Sequence, residues 1–226
     1  MEEAWEEKIS HLKKIHLNLH RRDDNNERIS TVDLTVSPKA IVHQPDRSYV
    51  PRGRANPVQP PLLAADQDNA PFPTMVVEIG VTQSLQSLHD KAIDYLCATT
   101  DIQIVLCISL WPRRRRGIIN TNLFQMVALL YNRVYSVNHP QTVISFGTAP
   151  LHPLSIESIQ RWGSPNQVQG HIKVDTVPVQ TNDIYTIKIP SESLFNGVPG
   201  GVPTGVPANI PLNLLDLRDQ LTDIQF

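Results

Sequence analysis

The sequence has few cysteines, no long apolar run and no excess of charge of either sign. Its two cysteines, Cys97 and Cys107, lack the spacing of a metal site, so a reduced intracellular compartment, cytoplasmic or nuclear, is the simpler prediction. The longest apolar runs are stretches such as IVLCISLW, far short of the ~20 residues that a membrane span needs, so no membrane partner is expected. The first residues, MEEAWEEK, are acidic, unlike a signal peptide. The net charge of -2 gives no general attraction to nucleic acid, so any such binding requires a local patch.

Proline, by contrast, is abundant, with 19 in 226 residues, which indicates long irregular connections. Residues 51–73 are rich in Pro, Asn, Asp and Gln without an apolar period, so they are predicted to form a long loop of the kind that is usually functional or disordered. The stretch GVPGGVPTGVP repeats Gly-Val-Pro every four residues, which predicts a flexible loop at 196–208.

The apolar pattern divides the chain into three parts. Residues 1–22 are predicted to be an N-terminal helix, because five apolar side chains recur there at helical spacing. Residues 23–150 are predicted to be the core. Residues 151–226 are predicted to be a C-terminal extension that ends in a helix over PLNLLDLRDQL, whose leucines share one face.

Within the core, TMVVEIGV reads as a strand, residues 84–98 as a helix, and DIQIVLCISLW as a second strand that is buried on both faces. This order predicts two parallel strands joined by a right-handed crossover. Further strands are expected in ISTVDLTV, KAIVHQ, FQMVALLY, TVISFG and IYTIKI. The predicted fold class is α/β, with a mixed central β-sheet flanked by helices.

Two carboxylates indicate where the chemistry lies. Glu78 stands inside the apolar MVVEIGV, where an unpaired charge would cost several kcal/mol. Asp46 follows a proline at the end of a short strand, from which it can project on a rigid backbone. Carboxylates that converge from neighbouring strand ends suit a hard cation such as Mg²⁺ or Mn²⁺. Such a site can activate a water against a phosphodiester.

A lysine near these carboxylates could orient that water or stabilise the developing charge. Lys91 is the candidate. At about 100° per residue it lies at the border of the apolar face of the predicted helix, from which its ammonium can reach a polar cleft. That apolar face is predicted to consist of Leu85, Leu88, Ala92, Tyr95 and Leu96. Asp90 and Asp94 are predicted to point to solvent.

Three segments together resemble the PD-(D/E)XK restriction-endonuclease-like superfamily over about residues 40 to 147. They are QPD with Asp46, FPTMVVEIGVTQSLQSLHDKAIDYL with Glu78 and Lys91, and DIQIVLCISL. The sequence is similar to a bacterial restriction-endonuclease group with a Pro-Asp, a later VVEVLS-type strand and a lysine moved onto the following helix. It is closer still to uncharacterised fungal proteins with a vvEvG strand and a downstream visFG, here VISFG.

The resemblance implies a restriction-endonuclease-like fold and Mg²⁺-dependent hydrolysis of phosphodiester bonds, with DNA as the expected substrate. Asp46 and Glu78 would bind the metal, the Ile79 carbonyl would be a further ligand, and Lys91 would be the displaced catalytic lysine. The usual Glu-x-Lys is here Glu78-Ile79-Gly80, and the proline-rich loop lengthens the spacing between the two acids. Because many proteins of this fold have lost activity, the alternative is an inactive nuclease-fold protein that binds nucleic acid or protein.

Each of the three main residues also has an ordinary interpretation. Glu78 could be a strand-end glutamate paired with a basic residue, Asp46 could shape a Pro-Asp turn, and Lys91 could be a solvated helix lysine. Gln83 and Ser84 could line the site, although a helix-capping role for Ser84 or Thr82 is at least as good an interpretation.

The run Arg113, Arg114, Arg115 and Arg116 follows a buried strand. It could hold phosphates of a nucleic acid, or it could be a solvated loop tip. Glu6 could add a carboxylate from the first helix.

Overall fold

The computed structural model describes residues 34–36, 41–54, 71–81, 83–98, 100–115, 118–163, 168–175, 178 and 183–222. The helix predicted for residues 1–22 and most of the loop predicted for 51–73 lie outside these ranges. In the described parts of that loop, residues 51–54 and 71–73, there is neither a helix nor an extended strand.

The described residues form ten strands, four α-helices and one 3-10 turn. The strands are β1 (Leu34–Val36), β2 (Ile41–His43), β3 (Arg47–Tyr49), β4 (Met75–Gly80), β5 (Ile104–Arg115), β6 (Ile118–Asn132), β7 (Thr142–Ser145), β8 (Gln169–Gly170), β9 (Thr186–Pro190) and β10 (Asn209–Asn213). The helices are α1 (Leu85–Tyr95), α2 (Pro153–Arg161), α3 (Ser191–Leu194) and α4 (Leu214–Thr222), with the 3-10 turn at Asp183–Tyr185. None of the described helices is long and apolar enough to cross a membrane.

A six-stranded sheet in the order β3-β4-β5-β6-β7-β8 forms the centre of the protein. The pairs β4–β5 and β7–β8 are parallel, and the other three pairs are antiparallel. The α/β class and the mixed central sheet predicted from the sequence are therefore confirmed. So is the predicted parallel pair β4–β5, which α1 connects.

The two faces of this sheet bury different partners. On one face, Val76 and Cys107 pack with Leu88 of α1 and Ile159 of α2. On the other face, Val77 of β4 belongs to a second core formed with the β9–β10 hairpin and α4. Successive β4 side chains alternate between these cores because the side-chain period of a strand is two. This alternation directs Glu78 to the same face as Val76, toward α1.

The C-terminal part differs from the prediction in one element. Residues 209–213, partly assigned to a terminal helix, form β10, and α4 begins only at Leu214. Ile210 and Leu212 are buried while their neighbours Asn209 and Pro211 are exposed, which is the alternation of a strand. The helical leucine pattern starts one residue beyond β10 and docks on the core as expected, with Leu217 buried.

The Gly-Val-Pro segment predicted as a flexible loop contains no helix or strand between α3 and β10. Its three valines, Val198, Val202 and Val206, each pack partly buried against the core. The glycine before each valine has a positive φ, of 77°, 73° and 90° for residues 197, 201 and 205. Only glycine adopts that conformation readily, so the repeat supplies a turn and an anchor at every fourth residue.

The arginine run, which the sequence placed after a buried strand as a phosphate site or a solvated loop tip, begins within that strand. Arg113, Arg114 and Arg115 belong to β5 and pair with residues 118–120 of β6. The register shifts between Pro112 and Arg113, and such a bulge lets the ladder continue past a residue that cannot donate a backbone hydrogen bond. Arg116 lies outside the described residues.

Candidate active site

Asp46 lies at the edge of the sheet, next to the first residue of β3. Arg47 pairs with Val77, and Asp46 comes directly before β3. Its Oδ2 accepts the backbone N–H of Ile79 at 2.7 Å, in the position where a longer β3 would have bonded. The N–H and C=O of one strand residue point to the same edge, so the Ile79 carbonyl also faces this side of β4. The predicted ligands Asp46 and Ile79 are thus neighbours.

Glu78 is 2% exposed, and its buried carboxylate has two partners on α1. Lys91 Nζ donates to Oε2 at 3.0 Å, and the Tyr95 hydroxyl donates to Oε1 at 2.6 Å. Lys91 and Tyr95 are four residues apart and therefore share one face of the helix. The structure brings Glu78 and Lys91 into contact, with the Lys91 side chain 28% exposed at the border predicted for it.

Burial and the acidic groups at this end of the sheet raise the pKa of the Tyr95 hydroxyl. Burial raises the pKa of Tyr95 above its ordinary value, and the Glu78 carboxylate, both as a charge and as an acceptor, raises it further. The charge of Asp46 adds a smaller contribution in the same direction. Both predicted metal ligands therefore act on one phenol. Cys107, which pairs with Glu78 across β4–β5, is fully buried, and burial raises the pKa of its thiol, so it packs as a small apolar residue.

Gly80 explains why no lysine stands two residues after Glu78. A Cβ at this position would lie 2.6 Å from Leu88 Cδ1 and 3.1 Å from its Cγ. Leu88 belongs to α1 and is fully buried between this helix and the sheet. The volume that a lysine side chain on the strand would need is therefore filled by helix packing. Lys91 instead reaches the carboxylate from the helix.

Gly80→Ala is expected to lower the free energy of unfolding by about 1 kcal/mol, because an added methyl group overpacks a filled core. Chemical denaturation of the purified protein measures this. Combining Gly80→Ala with Leu88→Ala should cost less than the sum of the two single variants, since the cavity of one accepts the methyl group of the other. Additive costs would contradict the assigned contact.

The start of α1 is held by residues that were candidates for lining the site. Ser84 is the N-cap, and its side chain accepts the Ser87 N–H at 3.1 Å, so the capping interpretation is confirmed. The Gln83 amide donates to Ser87 Oγ at 2.6 Å. Gln83 is therefore engaged at the helix start, and no described bond joins it to Glu78. Thr82 lies outside the described residues.

One pair beside the site was missed by the sequence reasoning. His43 Nε2 is 3.1 Å from Asp94 Oδ2, and the His43 ring lies against the Tyr95 ring with 5.3 Å between centroids. The prediction that Asp94 points to solvent holds in part: its side chain is 35% exposed, but it also contacts His43, which β2 brings onto this end of α1. The only sequence signal was the position of His43, three residues before Asp46. The prediction that Asp90 points to solvent is confirmed, because Asp90 is exposed.

Three oxygen donors of the type Mg²⁺ takes lie at this end of the sheet: the carboxylates of Asp46 and Glu78 and the carbonyl of Ile79. Across the part of the chain that the structure describes, no three His, Cys, Asp or Glu side chains group as a metal site. Two carboxylates are nevertheless enough for Mg²⁺, which keeps several of its waters. The side chains of the arginine run and the whole of Glu6 lie outside what the structure describes.

A second polar cluster lies elsewhere on α1. His89 is 5% exposed, stacks on the Trp162 ring at 4.1 Å and 3°, and has its Nδ1 2.9 Å from the Tyr131 hydroxyl. Burial lowers the pKa of His89 below its ordinary 6.5, although the charge of Asp90 opposes this. The folded protein thus holds a neutral imidazole where the unfolded chain would accept a proton.

The free energy of unfolding is therefore expected to fall as the pH drops through about 6.5, because protons then bind the unfolded chain preferentially. Denaturation between about pH 8 and pH 5 should give a shallower dependence for His89→Gln than for the wild type. Equal slopes for His89→Gln and wild type would contradict the prediction.

Comparisons with protein-family models, with curated proteins and with solved structures found no match. No family is therefore assigned to the chain by these comparisons. The geometry of Asp46, Glu78 and Lys91 is the feature of the chain that indicates a function.

Proposed function

We propose that this chain is a Mg²⁺-dependent nuclease of the restriction-endonuclease-like fold, which hydrolyses phosphodiester bonds of DNA. One observation carries the proposal. The Lys91 ammonium contacts the Glu78 carboxylate at 3.0 Å, beside the edge where Asp46 binds the backbone of Ile79. Two acids from successive strands and a lysine from the next helix thus meet at one end of the sheet.

Asp46, Glu78 and the Ile79 carbonyl would hold the metal. Bound there, Mg²⁺ would lower the pKa of a water and offset negative charge on the phosphate. Lys91 has three N–H donors, one of which is used by Glu78, so the others can orient a water or bind a phosphate oxygen. Tyr95 holds the second oxygen of Glu78 and fixes the orientation of its carboxylate.

The position of the arginine run supports a nucleic acid as the substrate. Glu78 pairs with Cys107 across the parallel strands, and β4 ends at Gly80. Beyond the end of β4, the parallel strand β5 continues in the same direction to Arg115. At about 3.3 Å per residue, the arginine backbone begins roughly 20 Å beyond Glu78. A cluster of arginines beyond the same end of the sheet would provide phosphate contacts along a bound strand.

A second function, an inactive nuclease-fold protein that binds nucleic acid or protein, has an observation of its own. Both oxygens of Glu78 already accept hydrogen bonds from within the chain, and the residue is 2% exposed. A carboxylate with these two partners can stabilise the packing of α1 without binding a metal. It still has unused lone pairs, since two carboxylate oxygens offer about four acceptor positions.

Nicking of supercoiled plasmid by the purified protein, with Mg²⁺ or Mn²⁺ and with a chelator, tests the proposal. The wild type is expected to nick only with metal. Glu78→Gln and Asp46→Asn should each reduce the rate at least about a hundredfold, while remaining folded by circular dichroism. Asp90→Asn, on an exposed part of the same helix, is the control and should match the wild type.

The other outcomes are equally informative. Nicking that survives in both variants would come from a contaminant or another site. No nicking by the wild type, together with a melting temperature unchanged by Mg²⁺, would favour the inactive binding protein. Its salt-dependent affinity for DNA would then be measured next.

A further inference from the structure

We propose that His43 is a catalytic proton acceptor of this site, with Asp94 as its positioning residue; the inference rests on the proposed nuclease function. The two side chains come from β2 and α1, 51 positions apart in the sequence, and meet at 3.1 Å. Nothing in the proposed roles of Asp46, Glu78 and Lys91 uses them.

The hydrogen bond to Asp94 fixes the tautomer of His43. An ionised carboxylate can only accept, so Nε2 must carry the proton and Nδ1 must present a lone pair. Within the described part of the chain, no hydrogen bond occupies Nδ1. An imidazole with one nitrogen held by a carboxylate and the other open has the arrangement of a general base.

The position of His43 connects it to the metal-binding acids. Its ring lies against Tyr95, whose hydroxyl donates to Glu78, and its own segment continues within three residues to Asp46. Its side chain is 15% exposed, so it is sheltered but open to solvent. The titratable groups shown in contact with it are Asp94 and Tyr95, and Tyr95 in turn contacts Glu78, which is paired with Lys91.

The step that this geometry allows is the removal of a proton from the attacking water. As the water oxygen forms its bond to phosphorus, Nδ1 takes one proton, and the bond from phosphorus to the leaving sugar oxygen breaks. The leaving oxygen takes a proton from solvent, and His43 later releases its own to solvent. Asp94 stabilises the imidazolium without accepting the proton, and Lys91 orients the water.

The experiment is the pH dependence of plasmid nicking in Mg²⁺ for the wild type, His43→Ala, Asp94→Asn and the control Asp90→Asn. His43→Ala is expected to lower kcat about 100-fold or more, to lose the acid limb of the profile, and to regain activity with added imidazole. Asp94→Asn should lower kcat less and alter the same limb, with KM little changed. Asp90→Asn should retain the wild-type profile.

The two proposals fail differently. A wild type that nicks, with His43→Ala showing the same rate and profile, would overturn the role of His43 and leave the nuclease standing. Loss of activity in folded His43→Ala without imidazole rescue and without a change of the acid limb would also overturn it, in favour of a structural contact. If His43→Ala does not fold, the rate and pH profile of nicking are compared with the wild type for His43→Gln and Asp94→Asn instead. A wild type without metal-dependent nicking would overturn both proposals.

Discussion

Replacing Lys91 with methionine is expected to lower the free energy of unfolding by about 3 kcal/mol, because it leaves the Glu78 carboxylate buried without its cation. Glu78 is 2% exposed, and Tyr95 would be its remaining described partner. Urea or guanidinium denaturation measures the change. The methionine keeps most of the apolar length of the lysine, so little of the cost should come from packing.

Two comparisons isolate the charge pair. In Glu78→Gln, adding Lys91→Met should cost much less than it does in the wild type, since no buried charge remains. Lys188→Met, at an exposed lysine of β9, is the matched control and should change stability by less than about 0.5 kcal/mol. A cost equal to that of Lys188→Met would contradict the pair.

Replacing Arg54 with methionine is expected to lower the free energy of unfolding by about 2 kcal/mol. The Arg54 side chain is 3% exposed and donates both to the Phe72 carbonyl and to the Asp101 carboxylate. It thereby joins the two ends of the proline-rich segment 55–70. Its loss leaves a buried carbonyl without this donor, while Asp101, 39% exposed, can be rehydrated, which keeps the cost below that of a fully buried pair.

Arg161→Met is the control for this prediction. Arg161 is 76% exposed and its contact with Glu157 is 3.7 Å, so its removal should change stability by at most about 0.5 kcal/mol. Limited proteolysis gives a second readout, since the segment between Arg54 and Phe72 should be cut faster in Arg54→Met than in Arg161→Met. Equal stability and equal cutting of the two variants would contradict the bridging role of Arg54.

The elements that were predicted best have strong local patterns. The apolar spacing of α1 placed Leu85 and Leu88 on its buried face, and the apolar runs of β4 and β5 marked a parallel pair. The pair β9–β10 was predicted only in part, because the five residues of β10 lead directly into a leucine-rich helix and the two periods merge. The strand β5 was predicted as far as Trp111, but its continuation into the arginines was not, since the apolar pattern ends there and the ladder passes Pro112 through a bulge.

The candidate site was predictable to a similar degree. A glutamate within an apolar strand, an aspartate after a proline and a lysine at a helix border each stood out by their chemistry, and Glu78 and Lys91 do meet. Tyr95 was assigned to the core only, because helical spacing does not reveal that its hydroxyl ends at a carboxylate. The contact between His43 and Asp94 was not predicted, since the two residues are distant in the sequence and neither has a local pattern that indicates the other.

The sequence by itself determined that this protein has an α/β core and that Glu78, in an apolar strand, requires a partner, because burial periodicity and desolvation cost act on neighbouring residues. Only the tertiary structure decided which partner it has. The packing of Leu88 against Gly80 closes the strand route to the carboxylate and leaves the helix route to Lys91. The same docking of α1 brings Asp94 into contact with His43. Such contacts depend on how closely a helix and a sheet approach, a distance that no local pattern encodes.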